Sequence, residues 1–277
     1  MKKFTKVLAL VFAFVMVMSF TAMADEGKEE LVFGTNPEFP PFEYVTASEG
    51  IIDEYDGIDM AIAKMIAEEN DMTAVINSME FDSLLIALQN GMVDAVIAGM
   101  TVTEERALAV DFSTPYYQAT QVMIVKEDSD IEKAADMEGK IIAVIQGYTG
   151  ETCVSEMEYE YESFKKGTDA IFELINGKCD VVVIDSATAS KYVADNEGLK
   201  IVEDEEAFGN EEYAIAVKKG NTELLEMINE SIEKMLEDGT IAELGDKYAV
   251  AEEETEEAEA EEAAAADDAE ADTKAAK

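Results

Sequence analysis

Along most of the chain, two kinds of apolar pattern take turns. Short, nearly continuous apolar runs, "LVFGT" (31–35), "VDAVIAG" (93–99), "TQVMIVK" (120–126), "KIIAVIQG" (140–147) and "DVVVID" (180–185), predict buried strands. Between them "GIDMAIAKMIAEEN" (57–70), "FDSLLIALQNG" (81–91) and "TDAIFELINGK" (168–178) carry apolar residues three and four apart and close on Asn or Gly, the spacing and punctuation of helices. "TAVINSM" (73–79) and the alternating "EYEYESF" (158–164) add strands, and a short helix is expected near Glu151 to Met157. "YAIAVKKG" (213–220) leads into one long or two shorter helices over 221–248. Strand and helix in alternation predict an α/β fold built of helix-flanked sheets.

One repeat organises these elements. "NGMVDAVIAG", Asn90 to Gly99, matches "NGKCDVVVID", Asn176 to Asp185, 86 residues later. In each copy a helix ends at Asn-Gly, two residues follow, and then come Asp and an apolar strand. Ligands of open α/β sheets sit beyond the carboxyl ends of strands, so Gly99 and Asp185 are expected to face one site from two similar lobes. The chain has to cross between lobes twice, and Pro115 to Val122 and Ala207 to Ile215 are the expected crossings. The first lobe then comprises residues 25–116 plus 213–250, and the second comprises 121–208.

The two ends of the chain read differently. Lys2, Lys3 and Lys6, an apolar run of 14 residues and Ala22-Met23-Ala24 together have the form of a secretory signal over residues 1–24. An exported protein, soluble after cleavage near Ala24 and either periplasmic or extracellular, is expected, without the cysteine that would carry a lipid anchor there. Residues 251–277 hold twelve acids against two lysines and no apolar stripe, which predicts a disordered tail.

Charge and chemistry narrow the function. A formal charge of −43 excludes nucleic acid, whose phosphates it repels, and disfavours adsorption to anionic lipid. The absence of histidine, with only two cysteines, Cys153 and Cys179, excludes a Ser-His-Asp triad, a Cys-His dyad and a typical zinc site. The two cysteines fall near opposite ends of their elements, and a five-residue strand spans roughly 17 Å against the about 7 Å a bridge allows, which argues against a disulfide and leaves open whether both are free. Nineteen lysines stand against a single arginine, Arg106, placed in "TVTEER" where Thr103 can cap a helix. A guanidinium there is either a surface cation paired with Glu104 or Glu105, or a two-pronged donor for a carboxylate, which lysine does not imitate.

"GTNPEFPPFEY", "GIDMAIAKMIA", "EFDSLLIALQNGMVDAVIAGMTVTEERALAVDFSTPYY", "VIQGYTGE", "DVVVIDSAT" and "DGTIAELGDKY" follow one another in the order and spacing of the extracellular solute-binding proteins of family 3, the amino-acid receptors of ABC importers. The resemblance runs from Leu31 to Tyr248 and implies a type II, two-lobed Venus-flytrap fold with two hinge crossovers. It also implies capture of a free amino acid for delivery to a membrane permease, by a monomer with no cofactor and no catalysis. Residue by residue, it implies Arg106 and Thr101 at the ligand's α-carboxylate, Asp185 and Gly99 at its α-ammonium, and Thr149 contributing from the second lobe. Phe39 and Phe81 are expected to bracket the side chain, with Phe42 packing in the core behind them. Asn36 stands where several members have aspartate and Ile145 where some have lysine. A polar ligand, neutral or cationic, fits these departures, with Glu38 able to compensate for Asn36. Two other readings of the fold stay open, a dehydratase-type enzyme acting on small carboxylates and an amino-acid sensor module.

Overall fold

The computed structural model describes residues 28–248; the expected signal (1–24) and acidic tail (251–277) lie outside them. The chain begins with β1 (Glu30–Thr35), then a small antiparallel sheet of β2 (Glu38–Phe39), β3 (Glu43–Val45) and β4 (Tyr55–Asp56). Helix α1 (Ile58–Glu69) follows, burying Ile58, Ile62 and Ile66, a four-residue stripe, and closes at Asn70. β5 (Thr73–Ser78), α2 (Leu84–Gln89), β6 (Ala95–Val96), α3 (Glu104–Ala109) and β7 (Val110–Phe112) complete this stretch. A long strand, β8 (Tyr117–Lys126), then leaves it.

The next stretch holds β9 (Ile142–Ile145), α4 (Thr149–Glu156), β10 (Tyr161–Phe164), α5 (Gly167–Ile175), β11 (Val181–Asp185), α6 (Ser186–Ala194) and β12 (Leu199–Val202). β13 (Asn210–Tyr213) returns the chain to β14 (Ala216–Lys218) and α7 (Thr222–Glu237), and residues 240–248 are helical. Two mixed sheets result. One has the order β5-β1-β6-β14-β7 and the other β10-β9-β11-β8-β12, with β13 also on β8. Every residue of β9 and β11 is buried, as their unbroken apolar sequences require when helices cover both faces.

The two crossings are one antiparallel ribbon: β13 pairs with the start of β8, Tyr213 opposite Tyr117. Three expected strands or helices take a different form. "YAIAVKKG" is not one strand, because the fully buried Tyr213 to Val217 passes from the second sheet into the first. "VDAVIAG" pairs only over Ala95–Val96, since the chain turns away at Gly99, which has φ +50°. "FDSLLIALQNG" opens with a 3₁₀ turn, Phe81–Ser83, before α2. β12, which half-polar "LKIV" did not announce, is an edge strand on β8.

The repeat has a structural cause. Gly91 and Gly177 both end their helices at φ +69°, a left-handed turn that glycine enters without steric cost. The aspartates that follow make the same two bonds. Asp94 accepts from Val32 N–H at 2.9 Å and donates its own N–H to Val32 C=O at 2.8 Å, while Asp180 does both with Ile141 at 2.8 Å. Each carboxylate thereby fixes where the next strand enters its sheet. Cys153 and Cys179 are both free thiols, and burial raises them to about 11 and about 12.

Candidate functional site

Arg106 lies in the first turn of α3, where the Thr103 hydroxyl accepts its N–H at 3.1 Å and so caps the helix. Its half-buried guanidinium does not turn outwards to Glu104 or Glu105. One amino group donates to Thr101 C=O at 2.7 Å, and the other reaches across the cleft to Gly147 C=O at 2.9 Å. The guanidinium carbon stands 5.3 Å from the centre of the Phe81 ring, a cation–π contact. Burial lowers its pKa, and Asp185 and Glu211 oppose that shift. An arginine still stays charged.

Asp185 ends β11 with its side chain buried. It occupies the N-cap position of α6 without capping it, because the carboxylate instead accepts the Tyr213 hydroxyl at 2.6 Å. Burial, and then the charge on Glu211, push it up to about 7. Gly99 approaches from the other lobe. Its φ of +50° suits glycine, and a Cβ there would fall 2.4 Å from the Phe39 ring. Asp59, wholly buried at the start of α1, holds Gly99 in place by accepting its N–H at 2.8 Å and also accepts the Tyr116 hydroxyl at 2.9 Å.

Behind Asp59 lies Glu43, fully buried, whose two oxygens meet no donor. Burial, followed by the adjacent Asp59, raises its pKa well above the carboxylate range, while Asp59 itself is raised by burial to about 6. Two facing carboxylates contain no donor between them until one is protonated. Glu43 is therefore a neutral acid whose single O–H donates to Asp59, which satisfies one of its two oxygens.

Arg106, Asp185, Thr101, Gly99, Thr149, Phe39 and Phe81 all line a single cavity between the lobes, joined by Ala98 and Tyr148. Asn36 does not reach it. Its amide donates to Met79 C=O at 3.1 Å, and its oxygen faces the Tyr148 hydroxyl at 3.4 Å, so Tyr148 stands between Asn36 and the cavity. Glu38 is already engaged, paired with Lys166 of the opposite lobe at 2.5 Å. Phe42 and Ile145 are core residues.

Sequence reasoning missed Glu211, Tyr148, Asp59 and Glu43. One Glu211 oxygen accepts from the hydroxyls of Thr101 and Thr149, each at 2.8 Å, and from the Gln121 amide at 3.3 Å, tying both lobes to the ribbon. Its place in the second crossing was the available signal. The acids at 43 and 59 offered none, since acidic residues are frequent throughout this chain.

The chain is similar to proteins of one known family. The bacterial extracellular solute-binding proteins, family 3, match over residues 31–251. The arginine-binding extracellular protein ArtP of Bacillus subtilis is 32% identical over 251 residues, covering 88% of this chain and 95% of that protein. Among solved structures, a mutant of ArgBP from T. maritima superposes with a TM-score of 0.73 at 39% identity, covering 80% of this chain and 95% of the other. An ancestral arginine-binding protein bound to glutamine gives 0.74 at 40% identity, with 80% and 98% covered. With its two sheets, its ribbon of crossings and a cleft lined from both sides, the chain belongs to the bacterial extracellular solute-binding proteins, family 3.

Proposed function

We propose that this protein captures a free amino acid between its lobes and presents it to the permease of an ABC importer. The observation that carries the reading is the placing of one cation and one anion, Arg106 and Asp185, from different lobes on the wall of one cavity. Arg106 forks onto the α-carboxylate, with the backbone N–H groups of Thr101 and Thr149 beside it, since Glu211 engages their hydroxyls. Asp185 and the Gly99 carbonyl take the α-ammonium. Residues 25–116 with 213–250 move against residues 121–208, so that the site is complete only when the lobes close. The names of the relatives, which specify arginine binding and in one case bound glutamine, support an amino acid as the ligand. They support binding rather than turnover.

Micromolar affinity corresponds to about −8 kcal/mol. Each buried ion costs several kcal/mol to desolvate, so the pairing has to be close to complete. Arg106→Lys keeps the charge but loses the fork. Calorimetric titration of the ligand-stripped variant should show at least a hundredfold weaker binding with an unchanged circular dichroism spectrum, and unaltered affinity would remove Arg106 from the site.

A further inference from the structure

The space between Phe39 and Phe81 on the cavity wall is already occupied by part of the protein. Tyr148 comes from the second lobe and enters the space between Phe39 and Phe81, the two rings expected to flank a ligand side chain. Its ring meets Phe39 edge-on at 5.4 Å between centres and Phe81 at 4.6 Å. The hydroxyl continues to the Asn36 side-chain oxygen at 3.4 Å. Tyr148 is 7% exposed. The main chain beneath it is held on three sides. Tyr148 N–H binds Ile145 C=O at 3.1 Å, Gly147 N–H binds the Glu151 carboxylate at 2.7 Å, and Gly147 C=O receives Arg106.

We propose that Tyr148 is the specificity-determining residue of this receptor and restricts it to amino acids with a short, uncharged side chain, of the size of alanine or serine. This rests on the amino-acid reading above and narrows its free amino acid to one class. Shape is the first reason. The phenol packs against both rings and is nearly buried, so a long side chain would have to expel it from between them. Charge is the second. Beside Tyr148, Asn36 is neutral and Glu38 is paired with Lys166, so a guanidinium or ammonium on the ligand would have to break that pair to reach the Glu38 carboxylate. Relatives named for arginine therefore do not transfer their ligand to this chain.

The test is calorimetric titration of the full chain, stripped of ligand by unfolding and refolding, with each of the twenty amino acids, L-alanine, L-serine, L-glutamine and L-arginine deciding the ranking. Wild type should bind alanine or serine more than tenfold tighter than arginine and glutamine. Tyr148→Ser, which empties the slot, should bring arginine or glutamine at least tenfold closer, while Tyr148→Phe, which keeps the ring, should preserve the wild-type ranking. Arginine or glutamine within tenfold of serine in wild type would overturn the proposal, as would a folded Tyr148→Ser with the wild-type ranking. If Tyr148→Ser does not fold, wild type and Tyr148→Phe decide, and a change of ranking in the Phe variant overturns it. Wild type that binds none of the twenty amino acids overturns the amino-acid reading itself, a result distinct from binding the wrong one.

Discussion

Asp185 couples the site to pH. An exposed aspartate titrates near 3.9, whereas burial holds Asp185 at about 7, so the empty receptor carries a proton there over about pH 4 to 7 that an unfolded chain does not. An α-ammonium pairs only with the ionised carboxylate and must displace that proton. Affinity should therefore weaken as the pH falls below about 7, approaching tenfold per unit, with proton release visible in buffers of differing ionisation enthalpy. Asp185→Asn should bind weakly and lose the slope. For stability the native state binds the extra proton, so the contribution is complete at the acid end and lost as the pH rises through the native pKa. Asp59, at about 6, and Glu43 act with the same sign. The melting temperature of the ligand-free protein is expected to be higher at pH 5 than at pH 8. Glu43→Gln keeps the shape and a donor for Asp59 without the titrating group, and calorimetry should show it raising the melting temperature at pH 8 and narrowing that gap.

At the scale of elements, the matched joints do the same work in both lobes: a helix stops in a left-handed glycine, and an aspartate fixes the entry of the next strand. Their outcomes diverge after the aspartate. β11 runs on for five residues and delivers the Asp185 side chain to the cleft, whereas β6 stops after two and the chain turns at Gly99 to present backbone. One supersecondary unit thus supplies an anion from one lobe and a close-approaching main chain from the other. Gly91→Ala meets no atom within 4 Å, and Gly177→Ala only the Lys126 ammonium at 3.4 Å, so the left-handed backbone is the main cost in both. Each should lose roughly 1–2 kcal/mol in urea unfolding with an unchanged slope and nearly unchanged ligand affinity. A much larger loss at one joint alone would separate their roles.

Across the whole molecule the lobes are held closed by contacts that share no element: Arg106 with Gly147, Glu38 with Lys166, and Glu211 with Thr101 and Thr149. Every residue on the cavity wall lies between Phe39 and Asp185, so deleting Ala251 to Lys277 should leave the dissociation constant within twofold in calorimetry. The sequence by itself determined what is local or periodic: the alternation of strand and helix, the repeated joint, and a lone arginine behind a capping threonine. These follow from bonding and side-chain spacing within a few residues. Gly99 and Asp185 were legible for that reason, as the matching last positions of the repeated joint, whereas the role of Arg106 came from the family resemblance. Only the tertiary structure decided what meets across the cleft. Tyr148 faces Asn36 from 112 positions away, and Glu211 holds Thr101 from 110. Nor did any local pattern mark Glu43 and Asp59 as buried acids sharing a proton. Such contacts are set by how the two sheets pack and close on one another, and a one-dimensional period carries no information about them.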